Sequence, residues 1–117
     1  MTGRAAAGRA AEQRALDYLT ARGLRLRARN YRCRWGEIDL VMEAGDQVVF
    51  VEVRYRRHAG YGGPAGSVDR RKRRRLVRTA SDYLARQRLS DRPARFDVIA
   101  VDGAGAVDWV TGAFEAD

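Results

Sequence analysis

Two acidic residues on adjacent predicted strands, Asp39 and Glu52, carry the chemistry this sequence offers. They lie in WGEIDLVMEAGDQVVFVEVRYRR, Trp35 to Arg57, which reads as two antiparallel strands joined by a tight turn. Alternation puts residues two apart on one face. Ile38, Leu40 and Met42 then share one face of the first strand, and Glu37, Asp39, Val41 and Glu43 the other. On the second strand Val49, Val51 and Val53 lie opposite Val48, Phe50, Glu52 and Arg54. With Gly45-Asp46 as a two-residue type II′ loop, Leu40 faces Val51, Asp39 faces Glu52 and Glu37 faces Arg54. A four-residue loop, 43–46, shifts the pairing by two residues and keeps every face. Directly opposed carboxylates repel, so a cation is required beside them. Arg54 or a divalent metal meets that need.

The chemistry of such a pair is hydrolysis of phosphodiesters. Hard divalent cations take oxygen ligands, and a site of one or two carboxylates leaves room for water and phosphate oxygens. The donor set here is Asp39, Glu52 and the backbone carbonyl of Val53, with Mg²⁺ or Mn²⁺ as the expected ion. Arg54, two residues beyond Glu52 on the same face, is placed to orient water or to offset phosphate charge.

The remaining sequence supplies the frame. A chain of 117 residues is expected to form one domain, residues 1–117. Net charge is +8 and the isoelectric point is near 10.7, which favours polyanions, nucleic acid first. A membrane surface is the weaker alternative, because no basic helix has a bulky apolar face. The basic residues are 22 Arg and a single Lys, Lys72. One cysteine, Cys33, and one histidine, His58, leave no disulfide and no cysteine-based zinc site. Neither a signal peptide nor a spanning segment is visible, so a cytoplasmic protein is expected.

Residues 4–22 read as a helix with the apolar stripe Ala11, Ala15, Leu16, Tyr18 and Leu19. Glu12 lies on the edge of that stripe, and Gly23 ends the helix. A first strand follows, with Leu24, Leu26 and Ala28 inward and Arg25, Arg27 and Arg29 outward. After the hairpin comes a glycine-rich loop, 58–67, and then a second helix, 68–89, with Ser67 as N-cap. Its stripe of Leu76, Val77, Ala80, Tyr83 and Leu84 extends back one turn to Lys72, while Arg70, Arg71, Arg74 and Arg75 surround it. Residues 95–101 form a fourth strand and 107–110 a short fifth. Asp97 reads as structural, pairing an arginine. The order α-β-β-β-α-β-β gives an α/β (α+β) fold, a central mixed sheet flanked by helices.

GEIDLV, VFVEVR, the G-x-P loop and the lysine after it, with Glu12 and RFDV, resemble the YraN family of small bacterial proteins. That family is a branch of the PD-(D/E)XK nuclease superfamily, similar to Holliday-junction resolvases. The resemblance runs from about Gly8 to Val101. It implies a restriction-endonuclease-like α-β-β-β-α-β core, metal binding at Asp39 and Glu52, and an accessory acid role for Glu12. The motif's lysine position falls on Arg54, which effectively never gives up a proton. Lys72 could supply what Arg54 lacks, at a helix N-terminus suited to phosphate. The expected function is metal-dependent hydrolysis of structured or branched DNA, the expected partner is DNA, branched or single-stranded, and Arg56, Arg57, Arg70, Arg71, Arg74 and Arg75 grip its backbone. A non-catalytic nucleic-acid-binding protein of the same fold is the alternative, and an assembly partner for DNA-processing machinery is a third reading. Resolvase kinship also implies a homodimer.

Overall fold

The computed structural model describes residues 3–56 and 68–116, with side chains from residue 8 onward. The glycine-rich loop, Arg57, His58 and Ser67 lie outside them. Seven elements follow in chain order: α1 (Gly3–Ala21), β1 (Arg25–Cys33), β2 (Gly36–Ala44), β3 (Gln47–Arg56), α2 (Arg70–Arg86), β4 (Ala94–Asp102) and β5 (Val107–Phe114). The five strands form one sheet in the order β1-β2-β3-β4-β5. Three strand pairs are antiparallel and β3 with β4 is parallel. A parallel neighbour needs a crossover, and α2 is part of it.

One helix covers each face. Ala11, Ala15 and Leu19 of α1 pack on Leu40, Met42, Val49, Val51 and Ile99. Leu76, Ala80 and Tyr83 of α2 pack on Val48, Phe50, Phe96 and Val98. Because β3 is apolar on both faces and Val48, Val49 and Val51 are fully buried, a shift of its sequence would bring polar residues into the core, at about 1.5–3 kcal/mol for each large side chain displaced. The hairpin register is therefore firm: Leu40 pairs with Val51 and Ala44 with Gln47, leaving Gly45-Asp46 as the loop, with Gly45 at φ +63. Gly23 closes α1 as expected, at φ +92, with the Leu24 N–H donating to the Leu19 carbonyl.

Five expectations are corrected. Leu26 is 43% exposed on the edge strand although it pairs with Met42, and a bulge between Leu26 and Ala28 moves Ala28 to the α2 side, where it packs with Val41. The expected row of Arg25, Arg27 and Arg29 is split: Arg25 and Arg27 both reach Glu43, Arg27 also donating to the Tyr83 hydroxyl, while Arg29 reaches Glu12 and Gln13 of α1. Ile38 packs with Val41 on the α2 side rather than with Leu40 and Met42. Alternation breaks between them, where Asn30 on the neighbouring strand has φ +51. The N-cap of α2 is Asp69, whose carboxylate accepts the Lys72 N–H at 2.9 Å, so the helix begins at Arg70. β5 is also longer than the four residues expected. Asp97, fully buried on β4, holds it by accepting from Trp109 Nε1 and the Gly112 N–H as well as from Arg95.

Candidate functional site

Pairing between β2 and β3 stops at Leu40 and Val51. Beyond that point the two strands diverge, and a buried backbone donor on β3 needs a substitute partner. The Asp39 side chain provides it: Oδ2 accepts the Val53 N–H at 2.8 Å. The carboxylate is thereby fixed at the mouth of the split. Glu52, with its side chain 10% exposed, stands beside it. Within one extended residue the N–H and C=O point to the same edge, so the Val53 carbonyl is expected on the Asp39 side as well.

Lys72 completes the group from the first turn of α2. Its Nζ lies 2.5 Å from Glu52 Oε2. Asp39, Glu52, Val53, Lys72 and Arg75 line one open cleft of about 440 Å³, with Gly36 and Glu37 on its rim. Burial, and then the Glu52 charge, push the Asp39 carboxyl up to about 7, against only partial relief from the Val53 N–H. The pair is thus short of positive charge although Lys72 is present. Among the described residues no three His, Cys, Asp or Glu side chains form a full protein cage for a metal. Two carboxylates lining an open cleft would leave room for the water that a partly ligated Mg²⁺ keeps.

Glu12 comes close without lining the cleft. Its two oxygens accept from Arg29 at 3.1 Å and from Asn30 at 2.8 Å, and its charge contributes to the raised Asp39 carboxyl. Arg54 shares the Glu52 face of β3 and is half-buried. Arg56 is turned toward β5, 17% exposed, with Asp108 at 3.9 Å. Arg70 and Arg74 line a second cleft further along α2, and Arg71 is exposed.

The geometry can be set beside known proteins. The model of "Uncharacterised protein family UPF0102" matches residues 11–101. The chain belongs to this family. A UPF0102 protein of Pseudomonas entomophila is 54% identical over 114 residues, 93% of each chain. One of Halorhodospira halophila is 56% identical over 112 residues, covering 94% of this chain and 88% of that one. The stretch matched by the UPF0102 model contains Glu12, Asp39, Glu52 and Lys72. No helix among the described residues is long and apolar enough to cross a membrane.

Three features of this UPF0102 chain were not foreseen. Asn30 occupies the left-handed region that asparagine tolerates better than most residues, and there it orients Glu12; the RN pair in RARNY was its only trace. Glu43 is buried under three arginines, Arg25 at 3.0 Å, Arg27 at 2.9 Å and Arg92 at 2.7 Å. Burial alone would raise its carboxyl, but hydrogen bonds from Arg27 and Arg92 outweigh that and hold it below the ordinary carboxylate range. Gly36 passes so close to α2 that a Cβ there would lie 3.3 Å from Thr79 Oγ1.

Proposed function

We propose that this chain is a divalent-metal-dependent endonuclease-like protein that hydrolyses phosphodiester bonds in structured or branched DNA. The observation that carries the reading is the divergence of β2 from β3, which sets Asp39 and Glu52 side by side in an open cleft with Lys72. The resemblance of GEIDLV and VFVEVR to PD-(D/E)XK nucleases agrees with it, as does the charge of +8.

In this reading Asp39, Glu52 and the Val53 carbonyl hold Mg²⁺ or Mn²⁺. The ion, when bound, supplies Lewis acidity to the phosphate and acidifies water. An ammonium can in general give up a proton, whereas a guanidinium effectively never does. Arg54 therefore offsets phosphate charge, while Lys72 assists proton transfer. Glu12, held by Arg29 and Asn30, adds negative charge behind Asp39 and acts as an accessory acid. Arg56, Arg57, Arg70, Arg71, Arg74 and Arg75 give sequence-independent, salt-sensitive grip. A homodimer, as in resolvases, would present two such clefts to a junction, and sedimentation with and without junction DNA tests it.

A second reading, a nucleic-acid-binding protein that keeps the fold without cleavage, draws on Arg54 at the lysine position and on the Lys72–Glu52 contact, which already neutralises one ligand. The deciding experiment incubates wild type and Glu52→Ala with single-stranded, duplex, flap and four-way-junction DNA in Mg²⁺ and then Mn²⁺. Products that need metal and vanish in Glu52→Ala are expected. Binding without cleavage, unchanged by the substitution, would establish the second reading.

A further inference from the structure

The hydrolysis reading leaves one aromatic residue unused. Trp35 sits at the tip of the β1–β2 turn, half-buried, and neither core cluster among the described residues includes it. Two guanidiniums lie over its ring, Arg34 with Cζ 4.5 Å from the centroid and Arg78 with Cζ 4.8 Å. An indole with part of its surface in water, flanked by cations, is not core packing. It is the kind of surface on which a nucleobase stacks while its phosphates meet the neighbouring charges.

The surroundings extend this surface in two directions. On one side of Arg78 lies a cleft of about 510 Å³ lined by Arg70, Arg73, Arg74 and Arg78, with Glu115 as its acid. On the other side of Trp35 lies one of about 560 Å³, lined by Arg32, Arg34, Trp35 and Arg86 together with Tyr31 and Asp82. The Asp82 charge is already engaged, by the Tyr31 hydroxyl and by Arg86 at 3.0 Å. Arg75, Arg78, Asp82 and Arg86 recur at three- and four-residue spacing, so they share one face of α2. Arg75 at the start of that face lines the carboxylate cleft, and Gly36, next to Trp35, lies on the rim of the same cleft. The basic track and the site therefore meet at Trp35.

We infer that this track binds a single-stranded segment of nucleic acid, with an unpaired base taking the place of one guanidinium, Arg34 or Arg78, over the Trp35 ring while the displaced guanidinium meets a phosphate. A duplex, whose bases are already stacked on each other, offers its phosphates but no free base face. The track thus selects the unpaired arm or end of a structured substrate and leads it to the carboxylate cleft. The inference rests on the nucleic-acid part of the proposed function and needs neither metal nor cleavage.

The test is fluorescence anisotropy in EDTA, with labelled dT20, an abasic 20-mer of the same charge and a 20-base-pair duplex. Wild type is expected to bind dT20 about tenfold or more tighter than the abasic strand, since one base stacked on an aromatic ring is worth that much. Trp35→Ala is expected to weaken dT20 by about ten- to a hundredfold, bringing it level with the abasic strand and leaving the duplex within about threefold. Trp35→Phe, which keeps a ring, retains most of the preference and controls for damage to the turn. Arg78→Ala lowers the salt dependence for dT20. Equal affinity of wild type for dT20 and the abasic strand, or equal losses for dT20 and duplex in Trp35→Ala, overturns the inference while leaving the cleavage assay to stand alone. Binding to none of the three overturns the nucleic-acid reading itself, and tight binding of an acidic peptide in its place would mark the track as a protein surface.

Discussion

Replacing Asp39 by asparagine should make the metal-free protein more stable at pH 8, although it removes the carboxylate on which the proposed chemistry depends. The folded carboxyl is raised from 3.8 to about 7, first by burial and then by Glu52. A carboxyl raised on folding is protonated longer in the folded state, so its favourable contribution is complete below about 3.8 and lost as pH rises to about 7. Each pH unit in that window is worth about 1.4 kcal/mol, which sets an upper bound of about 4 kcal/mol on the loss. The cleft is open to solvent, which screens part of it, so about 2–4 kcal/mol is expected. Asparagine keeps an oxygen for the Val53 N–H and carries no charge. Urea unfolding at pH 4 and pH 8 tests this: the two proteins should be similar at pH 4, near the unfolded-state value, and Asp39→Asn should be ahead at pH 8. Adding Mg²⁺ at pH 8 should raise wild type, by about 2.7 kcal/mol at a hundredfold excess over Kd, and leave Asp39→Asn unmoved. An Asp39→Asn protein no more stable than wild type at pH 8 would refute the account of an uncompensated carboxylate pair.

Other substitutions probe the frame and the site. Glu43→Ala leaves Arg25, Arg27 and Arg92 without their shared carboxylate, but these arginines reach solvent, so a cost of about 1–3 kcal/mol in urea unfolding is expected. Gly36→Ala places a Cβ at φ +148 and 3.3 Å from Thr79 Oγ1, and a loss of about 1–3 kcal/mol is expected. Glu12→Gln keeps the Asn30 contact and loses the charge, so cleavage should fall about 10- to 100-fold with DNA affinity unchanged in EDTA. The Tyr31 phenol, raised to about 12 by burial and by its bond to Asp82, should be missing from the alkaline ultraviolet titration below pH 11, and Tyr31→Phe should leave that titration unaltered.

Much of the frame was legible because its signals were local. Gly45-Asp46 fixed the hairpin register, the α1 stripe gave the covering helix, and the apolar run around Asp97 marked an inner strand. Asp39 and Glu52 could be brought together because the two-residue loop sets the register as far as Leu40 and Val51, the residues beside them. What escaped depends on departures from alternation. Nothing in RLRARNY announces a bulge at Arg27 or left-handed backbone at Asn30, and these two decide that Ala28 and Ile38 turn to the α2 side. Lys72 beside the acidic pair was expected from its place on the α2 stripe and from the family resemblance, whereas its direct contact with Glu52 depends on how far α2 tilts over the sheet. Ser67 and Asp69 are both good N-caps, and the choice rests on where the chain re-enters the fold.

The single parallel pair has a consequence for how the protein forms. β1, β2 and β3 are joined by short turns, so their contacts close small loops at little entropic cost. β4 can pair with β3 only after α2 has carried the chain back across the sheet, and contacts so distant in sequence form slowly. The acidic pair therefore belongs to the early, locally closed part of the chain, and its lysine to the late part. During synthesis the two carboxylates would face each other, with Glu43 already gathering Arg25 and Arg27, before Lys72 arrives on the crossover. A cation from solution is the natural companion of that half-built sheet.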